Sequence, residues 1–483
     1  MTTTNSEENN VYKSPLVERF ATREMSALFS AQRKFSTWRL CWLALAEAEQ
    51  ELGIDISDAQ LEEMRGHLDD IDFDAAGKYE AEFRHDVMAH VHAFGDVAPV
   101  AKPIIHLGAT SCYVGDNTDL ILLREGLQLV LKQAVNVLTR LKDFAVKWRD
   151  LPTLGFTHYQ PAQVVTVGKR ACLWTQDLIF DIENIERMIE RLRCRGVKGT
   201  TGTQASFLKL FDGDGEKVRK LDALVAKRLG FDASYPVTGQ TYPRKVDTLV
   251  LQALAGIGES VHKFATDMRL LANLKEIEEP FGKKQIGSSA MAYKRNPMRC
   301  ERACALGRFL MTASLHSSFT TATQWFERTL DDSAIRRLSL PEAFLAADAC
   351  LNLYLSVMED PAVYPKVIEK HLRAELPFMA TENILMACAQ RGGDRQELHE
   401  VIRQHSQEAA RVVKEEGRDN DLLDRLAGDA AIGMTRDEID ETLDLSAFVG
   451  RAPEQVDEFC AEHIDPILSR HADLIGASSD VRV

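Results

Sequence analysis

The stretch Asn117–Arg149, NTDLILLREGLQLVLKQAVNVLTRLKDFAVKWR, carries apolar side chains at three- and four-residue spacing from end to end and contains no proline. That period predicts a helix well beyond the usual globular length. Pro161 to about Arg195, Pro243 to about Lys275 and Pro297 to about Gln324 read the same way, so three or four long rods are expected. Rods with wide apolar stripes are satisfied by packing lengthwise, and no convincing series of alternating strands interrupts the pattern. The expected fold is all-α, with a long central helical bundle over about 112–364. Shorter helices fill 1–111, including Trp38 to Leu52 with Gly53 as its stop, and residues 1–13 read as a disordered tail. A more charged helical segment, broken at Gly392-Gly393 and Gly450, occupies 365–483.

The chain has 483 residues, 58 Lys plus Arg against 73 Asp plus Glu, a net charge of -15 and 45% hydrophobic residues. At about 150 residues per domain this length allows three domains with sizeable cores. The acidic balance argues against nucleic acid or an anionic membrane surface as a general partner, because both are held by clustered cations. The longest obvious apolar run, Leu40 to Ala46, is too short to span a bilayer, and the polar, acidic N-terminus lacks a signal or transit layout. A cytoplasmic protein is expected. Its nine cysteines are scattered, without C-x-x-C, so reduced thiols are expected and neither a disulfide framework nor a zinc site is suggested.

Three loops share one design: Ile105 to Thr118, with Gly115, Asp116 and Asn117 as caps; Thr157 to Pro161, with His158 just before a helix that begins at Pro161; and Gly287 to Pro297, with Asn296 as N-cap. Each delivers hydroxyls, an imidazole or backbone N–H groups to the positive end of a rod, an anion-binding arrangement. The last lies in the basic stretch Lys283 to Arg302, which holds Lys283, Lys284, Lys294, Arg295, Arg299 and Arg302 against the single acid Glu301 and inverts the charge of the chain.

GSSAMAYKRNP at Gly287–Pro297 resembles the G-S-S-x-M-P-x-K-x-N signature of the fumarase/aspartase superfamily, whose members release fumarate by elimination across a C–N or C–O bond. RHDVMAHVH (Arg84–His92), HLGATSCYVGDNTD (His106–Asp119), LPTLGFTHYQPAQ (Leu151–Gln163), KGTTGTQASF (Lys198–Phe207) and QWFERTLDDSAIRR (Gln324–Arg337) resemble its adenylosuccinate lyase branch. The likeness runs from about Ser14 to about Arg451. It implies a homotetramer with active sites shared between subunits, no cofactor and no metal. The implied substrates are adenylosuccinate, giving AMP and fumarate, and the succinylcarboxamide ribotide of purine synthesis (SAICAR), giving AICAR and fumarate.

The resemblance also implies roles. Ser288 is the general base and His158 the general acid, His85 supports His158, and Lys294 stabilises charge with the loop N–H groups. Arg19, Ser333 and Arg337 face the substrate phosphate. Thr110, Ser111, Lys294 and Asn296, with Arg302 and Arg328 nearby, face the succinyl carboxylates. Asp86 and Gln240 face the base and leaving nitrogen, and Phe20 and Arg84 complete the substrate-binding set. His85, His90 and His92 are read as no metal site, because on one helix His90 lies off the face the other two share.

Two departures stand out: Ala292 replaces the signature proline, predicting altered loop closure, and Phe20 follows Arg19 where the branch commonly has Tyr, predicting weaker ribotide affinity. Cys112 beside Ser111 reads as a small buried filler. The alternatives are argininosuccinate lyase, fumarase or aspartase, disfavoured by the phosphate-directed residues, and a crystallin-like structural role, disfavoured by His158, Ser288, Lys294 and Asn296. Nucleotide-binding and zincin motifs find no support, since Gly256-Ile257-Gly258 lacks a preceding strand and His399-Glu400 meets His405 at the wrong spacing.

Overall fold

The computed structural model describes residues 10–282 and 284–481, so Lys283 and most of the expected tail lie outside the described residues. Helices dominate. Helix α1 (Ala31–Glu51) starts at Ser30, whose side chain accepts from the Arg33 N–H, and is followed by Gly53 at φ 97°, a left-handed conformation that costs glycine little. After two short helices, Asp58–Gly66 and Phe73–Phe83, come helix α2 (Asp86–Val97) and the 37-residue α3 (Ser111–Lys147), about 55 Å long at 1.5 Å per residue. Strands β1 (Pro152–Thr157) and β2 (Gln160–Thr166) form an antiparallel hairpin leading into α4 (Val167–Arg191). Helix α5 (Lys245–Asn273) gives way to a short strand, β3 (Ile277–Glu278). Beyond it come α6 (Met298–Ala322), α7 (Asp332–Met358) and β4 (Ala362–Val363), which pairs with β3.

Among the described residues five long helices therefore make the bundle, and sequence reading missed the fifth. Helix α7 carries Pro341 in its interior, a residue that deletes one backbone donor and obscures the pattern, yet the helix runs on because Ala343, Phe344, Ala346, Ala347, Cys350, Leu351 and Tyr354 are fully buried. Helix α5 lies against α6, α6 against α7, and α3 against both α4 and α7. The α5–α6 contact is backbone-close: a Cβ on Gly258 would sit 2.9 Å from the Gly307 carbonyl oxygen, and one on Gly307 2.8 Å from that of Gly258.

Three expected helix starts are corrected. Helix α3 begins six residues before Asn117, with Thr110 as N-cap, because Asp116 and Asn117 are buried polar partners of other segments and not caps. Residues 152–166 form the hairpin, so Pro161 lies on a strand, where a two-stranded ribbon tolerates its missing donor. Pro297, not Asn296, is the N-cap of α6, and the cap is made by Glu279, whose carboxylate accepts the Arg299 and Cys300 N–H groups at 3.0 Å each.

Toward the C-terminus, α8 (Pro365–Met379) packs on the hairpin, with Leu372 against Leu154 and Val164. A second core around Ile384, Leu398, Ile402, Leu422 and Ile439 involves α9 (Arg395–Glu416), and α10 (Ala452–Phe459) returns to α4. All nine cysteines are free thiols. No helix among the described residues is long and apolar enough to cross a membrane. The bundle leaves a broad apolar surface uncovered on and beyond α6, where Phe319 is 70% and Phe326 fully exposed, with Leu315, Trp325, Leu330 and Leu338.

Candidate active site

The site is built on the first turns of α2, α3 and α7. His85 is the N-cap of α2, its Nδ1 accepting the Met88 N–H at 3.3 Å. That leaves Nε2 to carry the proton and donate to Ser111 Oγ, 3.2 Å away. Because His85 precedes the helix, the helical-face argument over His85, His90 and His92 does not describe the structure. His90 instead stacks on Phe35 with ring centroids 3.7 Å apart, and burial pulls its pKa down to about 4. Among the described residues no group of three or more His, Cys, Asp or Glu is placed to hold a metal ion.

From His85 the contacts close into a circuit. Thr110 Oγ1 accepts from Gln240 Nε2 at 3.4 Å, and Asp86, next to His85, accepts from Arg337 at 3.1 Å. Ser333 stands one helical turn before Arg337, and its neighbour Asp332 accepts from Arg328 at 3.0 Å. Glu327 then accepts the Gln240 backbone N–H at 3.0 Å, completing the ring. Thr110, Ser111, His85, Asp86, Arg337, Ser333, Arg328 and Gln240, scattered over more than 200 residues of sequence, thus share one rim.

Beneath the rim lies a buried ionic layer that sequence reading missed. Arg244 donates to Asp332 at 2.6 Å and to Asp116 at 3.1 Å. Arg336 reaches Asp247 at 2.7 Å, Asp119 at 2.8 Å and the Tyr242 hydroxyl at 2.5 Å. Arg195 donates to the carbonyls of Gln240 and Gly199, both at 2.7 Å. Burial alone would raise the Asp116 carboxyl, but the Arg244, Arg336 and Arg195 guanidinia hold it below the ordinary value. These pairs bolt the starts of α3, α5 and α7 together and thereby fix the rim. The available signal was the density of Asp and Arg in otherwise apolar rods, where an unpaired charge is costly.

The Gly287–Pro297 loop stands apart. Ser288 Oγ accepts the Ala290 and Met291 N–H groups at 3.3 and 3.1 Å, and Asn296 Nδ2 donates to the Gly287 carbonyl at 2.6 Å. Gly287 is sterically required, since a Cβ there would lie 2.1 Å from the Lys294 carbonyl oxygen. Gly287→Ala is therefore expected to displace Ser288 and lower kcat by about a hundredfold, with little change in the thermal midpoint of the protein. Steady-state kinetics beside a melting curve check this. Lys294 and Ala292 are exposed on the same loop, and Arg302 lies on the second turn of α6.

His158 and Tyr159 form the exposed tip of the hairpin, with φ of 52° and 57°, closed by the Thr157–Gln160 pair. Arg19 is exposed and Phe20 half-buried near the N-terminus, the Phe20 carbonyl accepting from Asn352 at 3.4 Å. Arg84 is exposed at the left-handed C-cap of a helix, Phe73–Phe83, that precedes α2. None of His158, Ser288, Lys294, Arg19 or Arg84 shares a hydrogen bond or ion pair with the rim among the described residues. Cys112 is half-buried, and burial pushes its thiol up to about 11, leaving it protonated at neutral pH.

A profile described as "Lyase" matches residues 44–308, and one described as "Adenylosuccinate lyase C-terminus" matches residues 377–459. The chain is 54% identical to the adenylosuccinate lyase of Schizosaccharomyces pombe over 97% of its length and 98% of that protein. The chain belongs to the adenylosuccinate lyase family. Identity to the Saccharomyces cerevisiae member is 55%, over 95% of each chain. The crystal structure of a fumarate lyase from Mesorhizobium sp. BNC1 superposes with a TM-score of 0.78 at 23% identity, covering 94% of this chain and 100% of that one, which shows the shared fold. The family is one of lyases, and this chain is an enzyme of that class.

Proposed function

We propose that this protein eliminates fumarate from adenylosuccinate, leaving AMP, and from SAICAR, leaving AICAR, as a cytoplasmic homotetramer in purine nucleotide synthesis. One observation carries the mechanism: Ser288 Oγ already accepts two backbone N–H groups, so a negative charge on that oxygen is stabilised before substrate arrives. Ser288 removes a proton from the carbon next to a succinyl carboxylate, and the charge moves onto that carboxylate as an aci-dianion. Lys294, Asn296, Thr110, Ser111 and Arg302 meet the succinyl end. The C–N bond then breaks, His158 supplies the proton for the leaving nitrogen, and fumarate departs. Arg19, Ser333 and Arg337 hold the phosphate end, Arg328 lies near the succinyl end, and Asp86, Gln240 and Arg84 meet the base side, with Phe20 beside Arg19. His85 orients Ser111 through Nε2.

The assembly is part of the proposal. Among the described residues no hydrogen bond or ion pair joins the hairpin tip, the Ser288 loop and the rim, while the uncovered apolar surface around Phe319 needs a partner. Subunits packing along these rods bury that surface and bring the three parts together. The purified protein, with no added metal or cofactor, is expected to release fumarate from both ribotides and not from argininosuccinate. A correctly folded tetramer that released none would overturn the reading, and a stable active monomer in light scattering would overturn the shared site.

A further inference from the structure

Lys34 lies on the first turn of α1, beside Phe35, whose stacking on His90 holds that turn over the start of α2. Its ammonium is half-buried, 5.1 Å from the ring centroids of both Phe35 and Trp38. Among the described residues no carboxylate lies within the 4 Å of an ion pair. The charged groups that face it are Arg337, Asp119, Asp86 and Glu80. Two of the three acids are already engaged, Asp86 by Arg337 at 3.1 Å and Asp119 by Arg336 at 2.8 Å. Lys34 is thus a half-buried cation with no carboxylate in contact, in the electrostatic field of Arg337, whose own partner is Asp86. A half-buried ammonium without a contacting carboxylate is stabilised by an anion that reaches it.

We propose that Lys34 is a further phosphate-binding residue of the site, meeting together with Arg337 the phosphate of the ribotide. The inference rests on the reading given under Proposed function. Ser333, one turn before Arg337 on α7, supplies a hydroxyl on the same side, and the planar Arg337 fork and the point charge of Lys34 divide the phosphate oxygens between them. The rings of Phe35 and Trp38 keep the ammonium directed, which makes Lys34 more than a solvated surface charge.

The test uses the assembled enzyme and two fragments of the substrate, inorganic phosphate and fumarate, as competitive inhibitors. Lys34→Gln is expected to raise KM for adenylosuccinate about tenfold, to weaken inhibition by inorganic phosphate about equally, and to leave fumarate inhibition and kcat within about twofold. Lys34→Arg restores most of the phosphate inhibition. A purely structural role moves both inhibitors together, and that outcome, or no change in either, overturns the proposal. If Lys34→Gln does not assemble, Lys34→Met repeats the comparison. Should the wild-type protein release no fumarate, calorimetric binding of inorganic phosphate to wild type and Lys34→Gln still decides on Lys34, so the two failures are separable.

Discussion

Replacing Ser288 by alanine is expected to lower turnover of adenylosuccinate about a thousandfold while leaving AMP binding intact. The oxygen that alanine removes is the one atom of the loop that takes two backbone N–H groups, from Ala290 and Met291. A serine hydroxyl is a weak base because its alkoxide is unstable in water. In the proposed mechanism two fixed donors and the neighbouring Lys294 lower that instability, and closure of the loop over substrate removes the water that would compete. The rest of the loop has its own supports, since Asn296 holds Gly287 and Glu279 caps α6, so the fold survives the change. Single-turnover fumarate release separates the outcomes, and a rate within tenfold of wild type would remove Ser288 from the base role.

The second large effect is on stability. Arg244→Met is expected to cost about 3–5 kcal/mol, because it leaves the Asp116 and Asp332 carboxylates buried without their common guanidinium. Asp332 is wholly buried and Asp116 nearly so, and neither can turn to water without opening the junction of α3, α5 and α7. Asp332 keeps Arg328, which softens the loss. Urea unfolding measures the change. Activity should fall further than the folded fraction does, since Gln240, Thr110 and Arg328 are all placed by that junction. A midpoint shift equivalent to less than about 1 kcal/mol would show that the ionic layer is not what holds the junction.

Much of the architecture was legible in the sequence, and the failures have physical causes. The rods announced themselves because a 3.6-residue apolar period leaves a trace in every turn. Helix α7 did not, since Pro341 interrupts it and its deeply buried positions, Asp348 and Asn352 among them, are polar as well as apolar. The hairpin was hidden because proline before a valine-rich run reads equally well as the start of a helix. Only the pairing of Thr153 with Val165 and Leu154 with Val164 decides it, and pairing is a non-local fact. Candidate site residues in motifs were named through their resemblance, but their connections were not. Asp116 looked like a cap and is an ion-pair partner, Asn296 looked like a cap and is a loop tie, and Arg336 was passed over beside Arg337. Lys34 carried no local signal, because its meaning comes from three other segments.

The tip of the hairpin bears on how this enzyme can be varied. Two adjacent residues with positive φ are the geometry that Asn-Gly adopts with least strain, whereas His158 and Tyr159 each hold it at a cost of about 1 kcal/mol. A turn selected for folding alone would not keep an imidazole there. The tip is therefore a place where gains in thermal robustness and retention of chemistry pull against each other. Variants screened only for heat resistance should drift toward glycine and asparagine at these two positions, and the same drift would empty the hairpin of its proposed proton donor.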